Sequence, residues 1–209
     1  MGHRDDFRQY IDSVRIAGVH GSFVPYKSLE KYWTYERIRS ALAGQNSAEE
    51  PLPDLQGSLR VFSILILTGN IDAIPSFSDL KLSDDCLPFR KREDIIETWP
   101  LDELGLDSLD VMVIWNLQWQ FCAAEFSEAM ANRTIHFDDM MILPIVEKTT
   151  LKPGDFHSTY RIKVHPDYNS LRLPVGLSIS LVFRSITLNS VEWFAATGIL
   201  RAQGMFDGI

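Results

Sequence analysis

Cysteine is scarce: Cys86 and Cys122 are the only two among 209 residues. Such a pair supports neither a disulfide framework nor a metal-ligand spacing, and a reducing compartment is the default reading. Long apolar runs are lacking as well. The nearest, residues 173–183, is too short to span a bilayer and is followed by Arg184. The opening Met1-Gly2-His3-Arg4-Asp5-Asp6 contains no apolar signal region, and Asp6 stands where myristoylation of Gly2 would want Ser or Thr. Basic residues are in deficit, with 20 Lys and Arg against 28 Asp and Glu and a net charge of -8. That balance argues against a nucleic-acid surface. The one basic cluster, Arg90, Lys91 and Arg92, runs straight into Glu93 and Asp94 and reads as a solvated loop or helix start. These absences together predict a cytoplasmic chain with no membrane and no nucleic acid among its partners.

What is present suffices for a core. Apolar residues make up 45% of the chain and aromatics 11%, which excludes wholesale disorder. Phe7, Tyr10, Ile11 and Val14 recur at helical spacing within residues 5–19. His20-Gly21-Ser22 ends that helix, and Phe23-Val24 before Pro25 is extended. A second helix opens at Lys27 or Ser28 and runs through Leu29, Tyr32 and Trp33 toward Ile38 and Leu42. Residues 43–57 carry Gly44, Asn46, Ser47, Pro51, Pro53 and Gly57 and read as a loop. In residues 58–68 periodicity alone does not separate buried helix from buried strand, but Ser58 as N-cap and Gly69 beyond the end favour helix. Pro75 and Pro88 break residues 70–90, where Ser83-Asp84-Asp85 reads as a turn or cap. The best helix signal is residues 108–130, with Val111, Trp115, Trp119, Cys122, Phe126 and Met130 on one stripe, caps at Asp107 and Ser108, and Asn132 at the end. It is the expected core of the helical region.

Near residue 142 the pattern changes. Phe156, Ser158, Tyr160, Ile162 and Val164 alternate with His157, Thr159, Arg161, Lys163 and His165, the period of a strand. Further on, Ser178 and Ser180 alternate with Leu177, Ile179, Leu181 and Phe183, again a half-buried strand. The predicted class is therefore α+β: a mainly helical region over 1–141, a small strand-rich segment over 142–168, and a tail over 169–209. The tail is expected either to supply strands or to pack poorly and move.

Several blocks, in order, resemble the N-terminal portion of a group of fungal protein-kinase-like proteins. They are Leu59-Arg60-Val61-Phe62-Ser63-Ile64-Leu65-Ile66-Leu67-Thr68-Gly69, then Leu82-Ser83-Asp84-Asp85-Cys86-Leu87-Pro88, then Gln118-Trp119-Gln120-Phe121 with Ala123 and Phe126. Ile142-Leu143-Pro144 is similar to the lead into the kinase lobe, and Tyr160 to Pro166 to the end of its first hairpin. The resemblance covers roughly residues 20–168 and implies ATP and phosphorylation as the family's chemistry. It places the glycine-rich loop at Lys152, Gly154 and His157, where only Gly154 is glycine. Glycines there let backbone amides approach the phosphates. Phe156 matches the aromatic tip over the phosphates, and Thr159 stands where valine packs on adenine. Gly154 and Phe156 are thus the cofactor-binding candidates, with ATP as cofactor by resemblance alone; a plain hairpin turn accounts for the same residues.

Phosphoryl transfer in that family needs a strand lysine, a pairing glutamate, a catalytic-loop aspartate and an Asp-Phe-Gly motif. No lysine and no His-Arg-Asp triplet follows Lys163, and the only later aspartates are Asp167 and Asp207. Phe206-Asp207-Gly208 has the wrong order. The resemblance thus implies a truncated, catalytically inactive kinase-like protein, whose residues beyond about 169 are either a divergent tail or translated intron or shifted frame. Two rivals stand beside it: a helical protein-interaction module without nucleotide binding, and a pseudokinase fragment that still holds ATP. For the module, Trp33, Trp99 and the loop at 43–57 are the expected aromatic partner surface. His136, Asp138 and Asp139 have the ligand types of a metal site but no fourth partner in reach, so a capped turn is the reading and no metal is expected.

Overall fold

The computed structural model describes residues 3–19, 21–43, 55, 57–89, 104–127, 134–137, 140–152, 157–170, 179–188 and 191–198; for 134–136, 151–152, 157–159, 179–188 and 191–198 it describes the backbone alone. The chain is α+β, with the helices leading. It divides into two compact units, Met1–Ile16 with Phe23–Cys122, and Ala17–Ser22 with Ala123–Ile209. The change of composition near residue 142 falls inside the second unit.

The first unit is built on α4 (Leu59–Thr68), in which Val61, Phe62, Ser63, Ile64, Leu65, Ile66 and Leu67 are all buried. A helix apolar all round has to be covered on every side, and this one is the centre of the core. Its ends are set by different chemistry. Gly69 closes it in the left-handed region (φ 85), with its N–H and that of Asn70 bonded back to Leu65 O. At the start, Ser58 makes no side-chain cap. Asp84, on a short 3-10 turn over Asp84–Cys86, supplies it instead: Oδ1 accepts from Arg60 N at 2.9 Å and Val61 N at 3.0 Å.

Around α4 lie α1 (His3–Val14), α2 (Tyr26–Tyr32), α3 (Tyr35–Ala41), α5 (Ile74–Asp79) and α6 (Ser108–Gln118). Phe7 and Ile11 are the buried face of α1, the spacing the sequence predicts. The helix stops at Val14 instead of running to residue 19, because β1 (Ile16–Gly18) and β2 (Gly21–Phe23) pair in a two-stranded sheet. The single helix expected over residues 28–42 is two. Trp33 leaves helical geometry (φ -81, ψ 73) as its ring turns onto Phe7 and Phe62, at centroid distances of 4.6 and 4.8 Å. Thr34 restarts the helix as an extended N-cap whose hydroxyl accepts from Arg37 N.

The helix expected over 108–130 ends at Gln118. Its start is as predicted, with Asp107 Oδ1 accepting from Leu109 N and Asp110 N at 2.9 and 2.8 Å. Three i→i−3 bonds, from Gln120 N, Phe121 N and Cys122 N, then tighten the chain out of the helix. Phe121, Cys122, Ala123 and Ala124 are buried as consecutive residues, so an apolar count at helical spacing runs past the true end. Within α6 the buried positions are Ile114 and Gln118, not Val111 and Trp115. Gln118 is wholly buried, yet its amide is satisfied: Oε1 accepts from Phe89 N at 2.7 Å and Nε2 donates to Phe89 O at 3.1 Å.

The second unit holds a five-stranded antiparallel sheet in the order β3 (Thr134–His136), β7 (Val191–Gly198), β6 (Ile179–Leu188), β5 (His157–Val164), β4 (Ile145–Lys152). The predicted alternation holds where side chains are described: Ile162 and Val164 are buried, Arg161 and Lys163 exposed. Val19 and Leu143 exchange backbone bonds, and Phe126 pairs with Asn169 as an isolated bridge. Gly21 has φ +153, and a Cβ there would meet Ile142 Cδ1 at 3.1 Å, so any other residue at this position is strained.

Candidate functional site

The expected nucleotide residues, Gly154 and Phe156, lie outside the described residues, as do Trp99, Asp138, Asp139 and most of the loop at 43–57. What the structure describes at that hairpin is its backbone. β4 and β5 pair antiparallel from Ile145↔Val164 to Lys152↔Thr159, with register shifts near both ends. Among the described residues no group of three metal-ligating side chains gathers, and no helix is long and apolar enough to cross a membrane. His165 is not on the polar face of a strand. It sits past the end of β5, half-buried, with Nδ1 accepting from Asp167 N. His3-Arg4-Asp5 has the letters of a kinase catalytic loop, but it forms the exposed first turn of α1.

Trp33 corrects the expected partner surface. It is 6% exposed, and its Nε1 donates to Ser63 Oγ at 2.9 Å inside the core. The aromatic residues of this region form a floor, not a rim. Tyr32 packs on Phe7 at 4.9 Å and on Tyr10 at 4.6 Å. Tyr10 is fixed by its hydroxyl, which donates to Ser28 O at 2.9 Å.

Above that floor lies a groove of about 750 Å³. Its size is in the range of small-molecule sites, about 300–1,000 Å³. One wall is a polar face of α1, including His3, Asp6 and Gln9; the other is Glu36, Arg37 and Ser40 of α3. Arg37 lies over the Tyr32 ring at 4.2 Å from its centroid and donates to Tyr32 O at 3.1 Å. Burial raises the Tyr32 hydroxyl above its ordinary pKa; Arg37 opposes this, and Asp6 and Tyr10 add to it. Glu36 is held below the usual carboxylate range by its own backbone N–H and the Thr34 hydroxyl. Among the described residues neither Asp6 nor Arg37 has an ion-pair partner. At one end Ser40 Oγ and His3 Nε2 meet at 3.0 Å, joining the walls. The arrangement offers an acid, a guanidinium and an aromatic hydroxyl along one groove, with the Ser40 hydroxyl and the His3 imidazole in hydrogen-bond contact at its end.

Sequence reading misses this groove. Its one signal is that His3, Asp6 and Tyr10 recur on a single face of α1, alongside the buried Phe7 and Ile11. That face reads as solvated until a second helix is known to lie along it.

A second polar cluster is structural. Arg60 lies 5.1 Å from the Tyr26 ring centroid, beside the Asp84 cap. Burial raises Asp84, outweighing the Val61 and Arg60 N–H bonds that lower it. Burial pushes the Cys122 thiol up to about 12, with Arg60 opposing and Asp84 adding. A thiol so placed is inert at neutral pH. A void of about 60 Å³, lined by residues such as Val61, Phe62, Leu65 and Phe77, is a packing gap of the core.

No family model matches the chain, and neither the curated proteins nor the solved structures contain a match to it.

Proposed function

We propose that this chain is a non-catalytic, protein-kinase-like polypeptide whose helical unit recognises a partner through the groove between α1 and α3. The observation that carries the binding half is the groove itself. It holds an acid, Asp6, and a guanidinium, Arg37, that no described residue pairs, above a fixed aromatic floor. Exposed charges of both signs beside a fixed aromatic floor fit a partner of complementary charge that packs on the rings.

The kinase-like half rests on the ordered sequence blocks. An antiparallel hairpin at 145–164, joined to further antiparallel strands, supports it, as does the helical region that precedes it. No lysine stands in β6 or β7, the strands that follow the hairpin, which supports the non-catalytic reading.

The test is a selection of random displayed peptides against the wild-type chain, re-scored on Asp6→Ala/Arg37→Ala. Both side chains are exposed, so the fold is retained. Binders are expected to lose affinity on the double variant; binders that ignore it overturn the groove reading. Phosphate transfer to a protein substrate by the purified chain would overturn the non-catalytic reading. A second reading, nucleotide retention, is favoured only by the hairpin at 145–164. It expects ATP binding that Gly154→Arg abolishes, and no binding at millimolar nucleotide would end it.

A further inference from the structure

The C-terminal turn of α3 places a hydroxyl among cations. Ser40 follows Arg39 directly and Arg37 by three residues. On a helix, positions three apart are neighbours, so the Arg37 and Ser40 side chains share one face. His3 of α1 comes to 3.0 Å of Ser40 Oγ from the opposite wall. Ser40 is exposed, and so are Arg37 and Arg39. Arg37 keeps donors to spare: among the described residues the one hydrogen bond of its side chain goes to Tyr32 O.

α3 also opens easily. It has seven residues and no fully buried side chain. Helices this short are not stable alone, and segments that bury little open at low cost. A modifying enzyme that needs extended chain therefore has access to residues 35–41.

We propose that Ser40 is a phosphoacceptor for a protein kinase that selects arginine ahead of its target serine, and that the phosphate clamps α3 to α1. In the modification the γ-phosphorus–oxygen bond of ATP breaks and a bond to Ser40 Oγ forms. The hydroxyl proton passes to the catalytic carboxylate of the modifying enzyme, and ADP leaves. Enzymes of this kind read charge patterns beside the acceptor, and Arg37 and Arg39 supply one. Alone at a helix C-terminus a phosphate is disfavoured by the dipole. Here Arg37 at i−3 and His3 across the groove answer it with charge-assisted bonds, so the group ties the two walls together. The inference stands whether or not the groove takes a partner.

The experiment uses the full chain, ATP and an arginine-directed serine kinase, with fragment mass spectrometry and amide exchange as readouts. One phosphate at Ser40 is expected, absent in Ser40→Ala. Arg37→Ala is expected to slow its addition roughly tenfold, the scale of one lost charge contact. Phosphorylated chain should show slower exchange over 35–41 than unmodified chain, and His3→Ala should remove that slowing without preventing modification. No phosphate at Ser40 overturns the site. Phosphate there with unchanged or faster exchange of α3 overturns the clamp.

Discussion

Replacing Gln118 by leucine removes a side chain that no water touches and that behaves as a strand partner. Gln118 is 0% exposed and Phe89 3%. The amide closes a ring of two bonds with the Phe89 backbone, 2.7 Å to its N–H and 3.1 Å from its C=O. Leucine has similar bulk, so packing changes little and the cost isolates the hydrogen bonds. Each buried backbone group left without a partner costs about 1–3 kcal/mol. The extra apolar surface of leucine returns about 1 kcal/mol. The net loss expected is therefore about 1–5 kcal/mol, which in a chain of this size lowers Tm by roughly 2–20 °C.

The assay is urea and thermal unfolding followed by tryptophan fluorescence, reading the transition of the helical unit. Gln118→Glu refines it. A protonated glutamic acid can replace both bonds, its carbonyl accepting and its O–H donating, whereas a carboxylate faces the Phe89 carbonyl. Its folded pKa is then raised above the unfolded value. Stability of that variant should be present at low pH and fall as pH rises from the ordinary carboxylate range to the raised value. A Gln118→Leu loss below about 1 kcal/mol, or a Gln118→Glu variant indifferent to pH, would refute the reasoning.

The remaining predictions use the same unfolding assay and thiol chemistry. Asp84→Ala should cost about 1–2 kcal/mol through the lost α4 cap, while Asp84→Asn keeps an acceptor oxygen and loses less. Because burial raises the Asp84 pKa above 3.8, wild type should lose stability relative to Asp84→Asn as pH climbs through and just above that value. Cys86 is exposed and should react with a thiol reagent in the native state; Cys122 is buried and should react only on unfolding. Since the Cys122 pKa is about 12 folded and near 9.0 unfolded, its contribution should decline only above about pH 9, and Cys122→Ala should abolish that slope. Gly21→Ala should cost about 1–3 kcal/mol in the second unit, through left-side backbone strain and the Ile142 contact. Ser63→Ala should cost about 1–3 kcal/mol by orphaning the Trp33 N–H, and a neutral result would mean the indole finds another acceptor.

How much of this was legible follows from what each signal measures. α4 was readable to the residue at its C-terminus because Gly69 and the apolar run speak of local backbone and burial. The start of α6 was readable for the same reason, since Asp107 caps within three residues of itself. The end of α6 was not, because buried positions continue after the helix stops. Periodicity cannot distinguish a helical stripe from a buried irregular run. The break at Trp33 was equally hidden: Thr34 can restart a helix, but what draws the chain out of α2 is the Trp33 ring, packed on Phe7 and Phe62 and bonded to a serine thirty residues away. The groove shares that fate, since its walls are two helices whose polar faces read as solvent-facing when taken singly. The loop on which the kinase resemblance turns lies outside the described residues.

The polar contacts inside the helical unit explain why the groove has a definite shape. Apolar burial is non-directional, and a cluster as rich in Leu, Ile and Phe as the one around α4 could settle in more than one arrangement. Directional bonds between distant residues remove that freedom. Asp84 fixes where α4 begins, and Gln118 fixes α6 against Phe89. The Trp33–Ser63 bond fixes the point at which the chain must leave α2 and restart as α3. α3 buries nothing fully and could not choose its own path, so its direction is inherited from that buried indole. The distance between α1 and α3, and with it the separation of Asp6 from Arg37, is thus set by the core. The exposed side chains of this short helix are thus placed by bonds that lie beneath them in the core.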